Sequence, residues 1–342
     1  MKGRGAIGNP PGRFESSWRE RDDAEAENTR RTELRHEQAR EVLSANDSPD
    51  LPFERALNPY RGCEHGCIYC YARPSHAYLG LSPGLDFETK ISAKINAPER
   101  LRAALCQEGY VVKPINLGSN TDPYQPAERR LGLTRAILEV LLEYRHPVSI
   151  VTKSALVLRD LDLLAALARE NLVLVGVSIT TLDNRLAARM EPRATAPHRR
   201  LQTIAELAAA GVPVGVFAAP IIPAINDHEL ERILAAAAER GARFAGYTLI
   251  RLPHELKALF REWLEAHCPD RAEHVLSLIR QMRGGRENDS RFFHRLRGEG
   301  PYAELLGQRF RLACKRLGLQ GRQAIRLDTT LFRRPGEQLP LF

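Results

Sequence analysis

From residue 111 the chain settles into a regular alternation of apolar and amphipathic stretches. VVKPINLG (111–118), VSIVT (148–152), NLVLVGVSIT (171–180), VPVGVFAAP (212–220) and ARFAGYTLI (242–250) are short runs rich in Val and Ile. Runs of that length, apolar on both faces, read as strands covered on both sides. Between them lie 126–145, 158–170, 196–210, 227–240 and 253–267, where apolar residues recur at helical spacing, and Gly211 and Gly241 stop two of these helices. Strands alternating with helices make a parallel sheet clothed in helices. One further strand ahead of residue 63 brings the count to six units, two short of a closed eight-stranded barrel. The expectation is an α/β fold, a partial (βα)6 TIM-like barrel spanning 51–268, with its chemistry at the C-terminal ends of the strands.

The flanks differ from this core. Residues 1–50 are charged and punctuated by Pro and Gly, which predicts a flexible N-terminal segment with one helix near 29–43. Residues 269–332 break the rhythm with the basic, Gly-interrupted stretch RQMRGGRENDSRFFHRLRGEGPY and a helix near 302–317, a basic and mostly helical C-terminal extension. Residues 333–342 read as a flexible tail. The formal charge of +8 is concentrated at this end, where 271–342 hold 15 Lys and Arg against 7 Asp and Glu. A basic excess so placed points to a polyanion, nucleic acid first. No apolar run approaches the roughly 20 residues of a membrane span. The first residues, MKGRGAIGNPPGRFES, lack an apolar signal segment, so the expected compartment is the cytoplasm.

Six cysteines sharpen the picture. Cys63, Cys67 and Cys70 fall within eight residues in NPYRGCEHGCIYCYARPSHAY (58–78), a C-x3-C-x2-C spacing too tight for a disulfide framework. In a reducing compartment such clustering points to metal. A structural zinc site or an electron-transfer [4Fe–4S] cluster takes four protein ligands. Three thiolates on a [4Fe–4S] cube leave one iron open, and Gly62 and Gly66 let backbone wrap closely around it. The alternative is zinc completed by His65 or His76, which otherwise are ordinary loop residues. Cys106, Cys268 and Cys314 read as small buried hydrophobes.

With Tyr69 directly before its last cysteine, the motif resembles the signature of the radical S-adenosylmethionine (SAM) superfamily. The resemblance implies that SAM chelates the open iron and is cleaved reductively to a 5′-deoxyadenosyl radical, which takes a hydrogen atom from substrate. More narrowly, NPYRGCEHGCIYCYAR, TDPYQPAE (121–128), VTKS (151–154) and MEPR (190–193) resemble the SplB-type group related to spore photoproduct lyase, over about 55–290. That group implies DNA repair or modification as a lyase-type reaction, and a flavodoxin or ferredoxin as electron donor. It also implies SAM contacts from Ser119, Asn120, Thr121, Asp122, Lys153 and Ser178, with Tyr69 and Arg193 nearby. In PIIPAIND (220–227), Ile221–Pro223 lies either against the adenine or in the core, ahead of a helix cap at Asn226 or Asp227. One departure stands out. Spore photoproduct lyases return a hydrogen atom from a cysteine near the motif that TDPYQPAE resembles, but no cysteine lies between Cys106 and Cys268. Tyr124 is the substitute donor the motif offers.

The chain ends EQLPLF, and Gln338–Phe342 resembles the peptide by which bacterial repair proteins dock on the DNA sliding clamp. The leading expectation is a radical SAM enzyme acting on nucleic acid. A second keeps the chemistry but places it on a small molecule, protein or tRNA. A third is a clamp- or nucleic-acid-binding adaptor with a structural metal.

Overall fold

A computed structural model describes residues 3–15 and 31–335 of the protein. Its main sheet contains β2 (Leu43–Ala45), β3 (Arg55–Leu57), β6 (Ile115–Leu117), β7 (Val148–Thr152), β8 (Val173–Ser178), β9 (Val214–Ile221), β10 (Phe244–Leu249) and β11 (Gln320–Gly321), side by side in that order. Every neighbouring pair from β3 to β11 is parallel, and β2 closes one edge antiparallel to β3. β3 and β6–β10 are therefore the six expected parallel strands, curved into an open barrel. A smaller sheet is made of β1 (Glu33–Glu37), β5 (Lys90–Lys94) and β4 (Tyr60–Arg61), two of whose strands fall between β3 and β6 in the chain.

The two faces of each strand have different work. Val173, Val175 and Val177 of β8 and Val214, Val216 and Ala218 of β9 join the core beneath the helices. By the period of two, Gly176, Gly215 and Phe217 point into the barrel. There the Phe217 ring takes space that neighbouring strands leave open: a Cβ on Gly176 would lie 2.1 Å from it, and one on Gly246 2.5 Å. Below this ring Arg322, just past β11, donates to Asn116 (3.2 Å) and Ser149 (2.9 Å) inside the barrel. Burial holds its guanidinium down to about 10.

Four sequence expectations are corrected. The helix near 29–43 is replaced by β1 and β2. Glu33–Glu37 pairs in parallel with Lys90–Lys94, so long-range pairing overrides the local helical composition. The stretch 126–145 is two helices, Glu128–Leu131 and Leu133–Glu143, parted at Gly132 with φ +63°. Cys106 is exposed and Cys268 half-buried, so of the three lone cysteines Cys314 alone is buried. The C-terminal extension is not set apart: helix Pro301–Leu317 packs on helix Leu230–Ala238, and Ala303, Leu306 and Ala313 enter the main core.

Residues 3–15 also depart from a loose tail. Gly5 and Ala6 donate backbone N–H groups to the Glu88 carboxylate at 3.0 and 2.8 Å, and Ala6 is buried. Residues 16–30 and the clamp-like Gln338–Phe342 lie outside the described residues. Among the described residues no helix is long and apolar enough to cross a membrane.

The packing around Phe217 is directly testable. Gly176→Ala is expected to lower unfolding free energy by about 1–3 kcal/mol through overpacking. Adding Phe217→Leu should recover part of that loss in urea denaturation; an unchanged midpoint for Gly176→Ala would contradict this packing.

Candidate functional site

The cysteine loop follows β4 and lies across the C-terminal ends of the barrel strands, as its hydrogen bonds show. Three backbone bonds set its path: Cys63 N–H donates to Phe87 O (2.9 Å), Ile68 N–H to Met190 O (3.0 Å) and Cys70 N–H to Cys67 O (3.2 Å). Gly62 and Gly66 have φ of +79° and +68°. A side chain would collide at either one, since a Cβ on Gly62 would sit 2.8 Å from Phe87 O and one on Gly66 2.7 Å from the Glu88 carboxylate.

Beneath the loop the Arg73 guanidinium is fully buried. It donates to the carbonyls of Cys67 (2.8 Å), Gly66 (3.1 Å) and Gly84 (2.9 Å), and pairs with Glu88. On the barrel side a second buried pair, Glu191 with Arg200, does related work. Glu191 accepts from the hydroxyls of Tyr69 and Thr180, and Arg200 donates to the carbonyls of Ser178 (3.0 Å) and Thr195 (2.6 Å).

The strand after the loop supplies a third support. Asp122 accepts from Tyr124 N–H (2.9 Å), Thr152 Oγ1 (2.7 Å) and Lys153 N–H (2.8 Å), and its Oδ2 lies 3.3 Å from His65 Nδ1. Burial pushes this carboxyl upward, but the His65 charge and these hydrogen bonds outweigh burial and hold it at about 2. Thr121 donates to Gly62 O (2.6 Å), and Gln125 accepts from Glu64 N–H (2.9 Å).

These contacts sort the nominated residues. Tyr69, Lys153 and Cys67 come together: Lys153 Nζ lies 5.6 Å from the Tyr69 ring centroid, and its charge reaches the Cys67 thiol. Thr121 and Asp122 hold the cysteine loop with their side chains. Ser119 and Asn120 are tied to Asn58, which donates to Ser119 Oγ (3.1 Å) and accepts from Asn120 N–H (2.7 Å). A polar cleft of about 400 Å³ opens beside Asn58 and Asn120, and no cysteine lines it. Ser178 is buried at the end of β8. Arg193 pairs with Glu64 (3.1 Å) and donates to Thr32 (3.2 Å), so the partner of Glu191 is Arg200.

Three readings change. Tyr124 is fully buried in the main core, with Asp160 and Glu128 as its ionic neighbours, a packing position unsuited to delivering a hydrogen atom to substrate. Ile221 is fully buried in the main core, whereas Ile222, also buried, packs in the cluster that holds Cys67 and Tyr69. Asn226 caps no helix with its side chain; it accepts from Ile222 N–H (2.6 Å) and donates to Thr180 O (2.7 Å), joining the ends of β8 and β9. Arg73, Glu88, Gln125, Glu191 and Arg200 support the cysteine loop, a role that their places in the sequence do not reveal. The one available signal is charge inside otherwise apolar or glycine-rich motifs, as in YCYAR and MEPR.

The donor set fits an iron–sulfur cluster. Burial first, then the charges of Asp122 and of the other two cysteines, push the Cys63 thiol well up, so the three sulfur atoms share one electrostatic environment. They are nonetheless more dispersed than ligands of one ion. Among the described residues, the group of ligand atoms closing to within 4.8 Å is Asp289, His294 and Glu299, whose carboxylates already bind Arg291. Zinc–sulfur bonds of about 2.3 Å draw tetrahedral thiolates closer than that. His65 Nδ1 lies 3.3 Å from Asp122, and His76 is buried with Nε2 at 3.1 Å from Lys90 O.

Comparison with known proteins identifies the family and the fold. The Radical SAM superfamily matches over residues 57–237, more than half of the 342-residue chain. An uncharacterized protein of Mycobacterium tuberculosis is 36% identical over 233 residues, 68% of each chain. Among solved structures, a cysteine-to-serine mutant of spore photoproduct lyase aligns with a TM-score of 0.62 at 18% identity, covering 84% of this chain and 81% of that one. A double mutant of the same lyase, with bound AdoMet and dinucleoside spore photoproduct, aligns at 0.59 and 16% identity with the same coverage. At such identities the likeness is one of fold. The family match goes further: this chain is a radical SAM superfamily enzyme, and its cofactors are a [4Fe–4S] cluster and SAM.

Proposed function

We propose that Cys63, Cys67 and Cys70 hold the [4Fe–4S] cluster and that the enzyme acts on nucleic acid, in repair or modification of DNA. The observation that carries the reading is the three-thiol loop laid over the strand ends between two buried ion pairs. When bound, the cluster and SAM supply a one-electron cleavage of the sulfonium and a carbon radical that takes a hydrogen atom from substrate. The chain's own residues bind and shield. Lys153, whose ammonium lies 5.6 Å from the Tyr69 ring centroid, is the proposed partner of the SAM carboxylate. Ser119 and Asn120, just past β6, and Ser178, at the end of β8, are the further proposed SAM contacts. Tyr69 is oriented through Glu191, and Thr121, Asp122 and Arg193 act by fixing the loop. Burial of Cys63 and Cys67 keeps water from the sulfurs.

Support for nucleic acid comes from two sides. Among the structural neighbours are spore photoproduct lyases solved with a dinucleoside spore photoproduct bound. The C-terminal basic excess lies on elements packed against the barrel. The reaction differs from theirs in its hydrogen return, because no cysteine lies between Cys106 and Cys268 and Tyr124 is buried. A flavodoxin or ferredoxin is the proposed reductant, the cytoplasm the proposed compartment, and Gln338–Phe342 the proposed anchor on a sliding clamp.

Three outcomes are expected. Anaerobically reconstituted and reduced enzyme should release 5′-deoxyadenosine from SAM, with DNA present if substrate is needed, and Cys67→Ala should release none above background. One equivalent of zinc and no cleavage in either condition would replace this reading by a structural metal. DNA affinity should fall about a hundredfold between roughly 50 and 200 mM salt, as counterion release at several phosphates requires; a flat response would remove nucleic acid as substrate. Deleting 338–342 should abolish co-elution with sliding clamp while leaving SAM cleavage intact.

A further inference from the structure

Beside the site, near the C-terminal end of β10, the chain exposes two consecutive aromatic side chains, Phe292 (47% exposed) and Phe293 (63%). Their placement is held by the fold. Phe293 has φ +66° and ψ −27°, a left-handed conformation that is a true outlier for a bulky residue. Its N–H donates to Asp50 Oδ2 (3.1 Å), and the same carboxylate takes Arg295 Nε (2.8 Å). Arg295 lies over the Phe292 ring, 4.8 Å from the centroid. From behind, buried Arg283 donates to His294 O and Ile250 O, both at 2.7 Å, which fastens the segment to the end of β10.

The platform is connected to the cysteine loop. Arg251, the residue after Ile250, lies over the ring of Tyr71, 5.2 Å from the centroid, and Tyr71 follows Cys70 directly. Arg251 has no acidic partner in contact among the described residues. Burial lowers its pKa, and Tyr71, Arg295 and Asp50 are all within its electrostatic reach. Strained backbone, exposed rings and cations thus meet within one strip that leads from the surface to Cys70. Strain of this kind persists where the surroundings over-determine it, and it gathers at functional positions.

We propose that Phe292 and Phe293 form a stacking platform for unstacked bases of a nucleic-acid substrate, with Arg251 taking a flanking phosphate. This rests on the nucleic-acid reading above and deepens it. Aromatic faces accept any base by stacking, whereas phosphates are met by arginine, and the two together distinguish a nucleic-acid surface from a simple apolar contact. The position implies that the enzyme engages a strand locally opened beside the target nucleotide, as chemistry on a base demands.

The test uses full-length, iron-loaded enzyme and a labelled mismatched duplex with 2-aminopurine at the mismatch. Wild type should bind and change the 2-aminopurine fluorescence. Phe292→Ala/Phe293→Ala should bind about tenfold or more weakly and lose that change, while the salt slope, iron content and melting temperature stay the same. Phe292→Tyr/Phe293→Tyr should restore both signals. Unchanged affinity and fluorescence in the alanine variant, in an enzyme that does bind DNA, would overturn this inference and leave the nucleic-acid reading standing. No DNA binding by wild type would overturn both. A wild type that sediments as a dimer, with a monomeric alanine variant of normal DNA affinity, would reassign the rings to self-association.

Discussion

The structure turns on a charge that cannot be left alone. Arg73 is buried directly under the cysteine loop, and its guanidinium is satisfied by Glu88 together with carbonyls that belong to the loop. Removing one partner of such a pair costs about 3–5 kcal/mol, because the other is stranded without water. Glu88 in turn receives the N–H groups of Gly5 and Ala6. One ion pair therefore fixes the loop carbonyls, the segment behind them and the start of the chain. An apolar pair of equal volume could fill the space, but it could not orient carbonyls. Direction, more than stability, is what these charges contribute.

The opposite wall repeats the device with Glu191 and Arg200, so the loop is gripped from both sides by polar groups whose hydrogen-bonding capacity is used. The environment this creates is hostile to bare thiolates. Burial pushes the thiols of Cys63 and Cys67 upward, and at Cys67 the charge of Lys153 is the largest influence opposing it. Positive charge from an iron cluster, held as proposed, would complement such an environment.

Much of this was legible in the order of residues, and the limits were physical. β7 matches the run VSIVT residue for residue, and the other long barrel strands follow the apolar runs that announced them, because burial on both faces leaves a pattern no loop imitates. The cysteine spacing is likewise local. Pairings across long separations are not. Nothing near Thr32 tells that it meets both Glu64 and Arg193, nor does β1 carry any mark of its partner β5. Asp122 and Thr121 were legible as important but not as supports of the loop, since a short polar motif at a strand end looks the same whether it faces a ligand or its own backbone. Tyr124 misled for the same reason: its neighbours in sequence are polar, and its neighbours in space are the core.

The separation between the cysteines and their supports has a consequence for biogenesis. The three thiols leave the ribosome together, whereas Asp122, Glu191 and Arg200 follow tens of residues to more than a hundred residues later. If Cys63, Cys67 and Cys70 hold the cluster as proposed, a nascent chain carries those thiols well before it has the walls that surround them, and ions that favour thiolates in any geometry have the first opportunity to bind. Selection for iron must then come from exchange after the barrel closes, or from delivery timed to that moment. On the proposed ligation, the fidelity of the cofactor becomes a property of chain made long after the three cysteines.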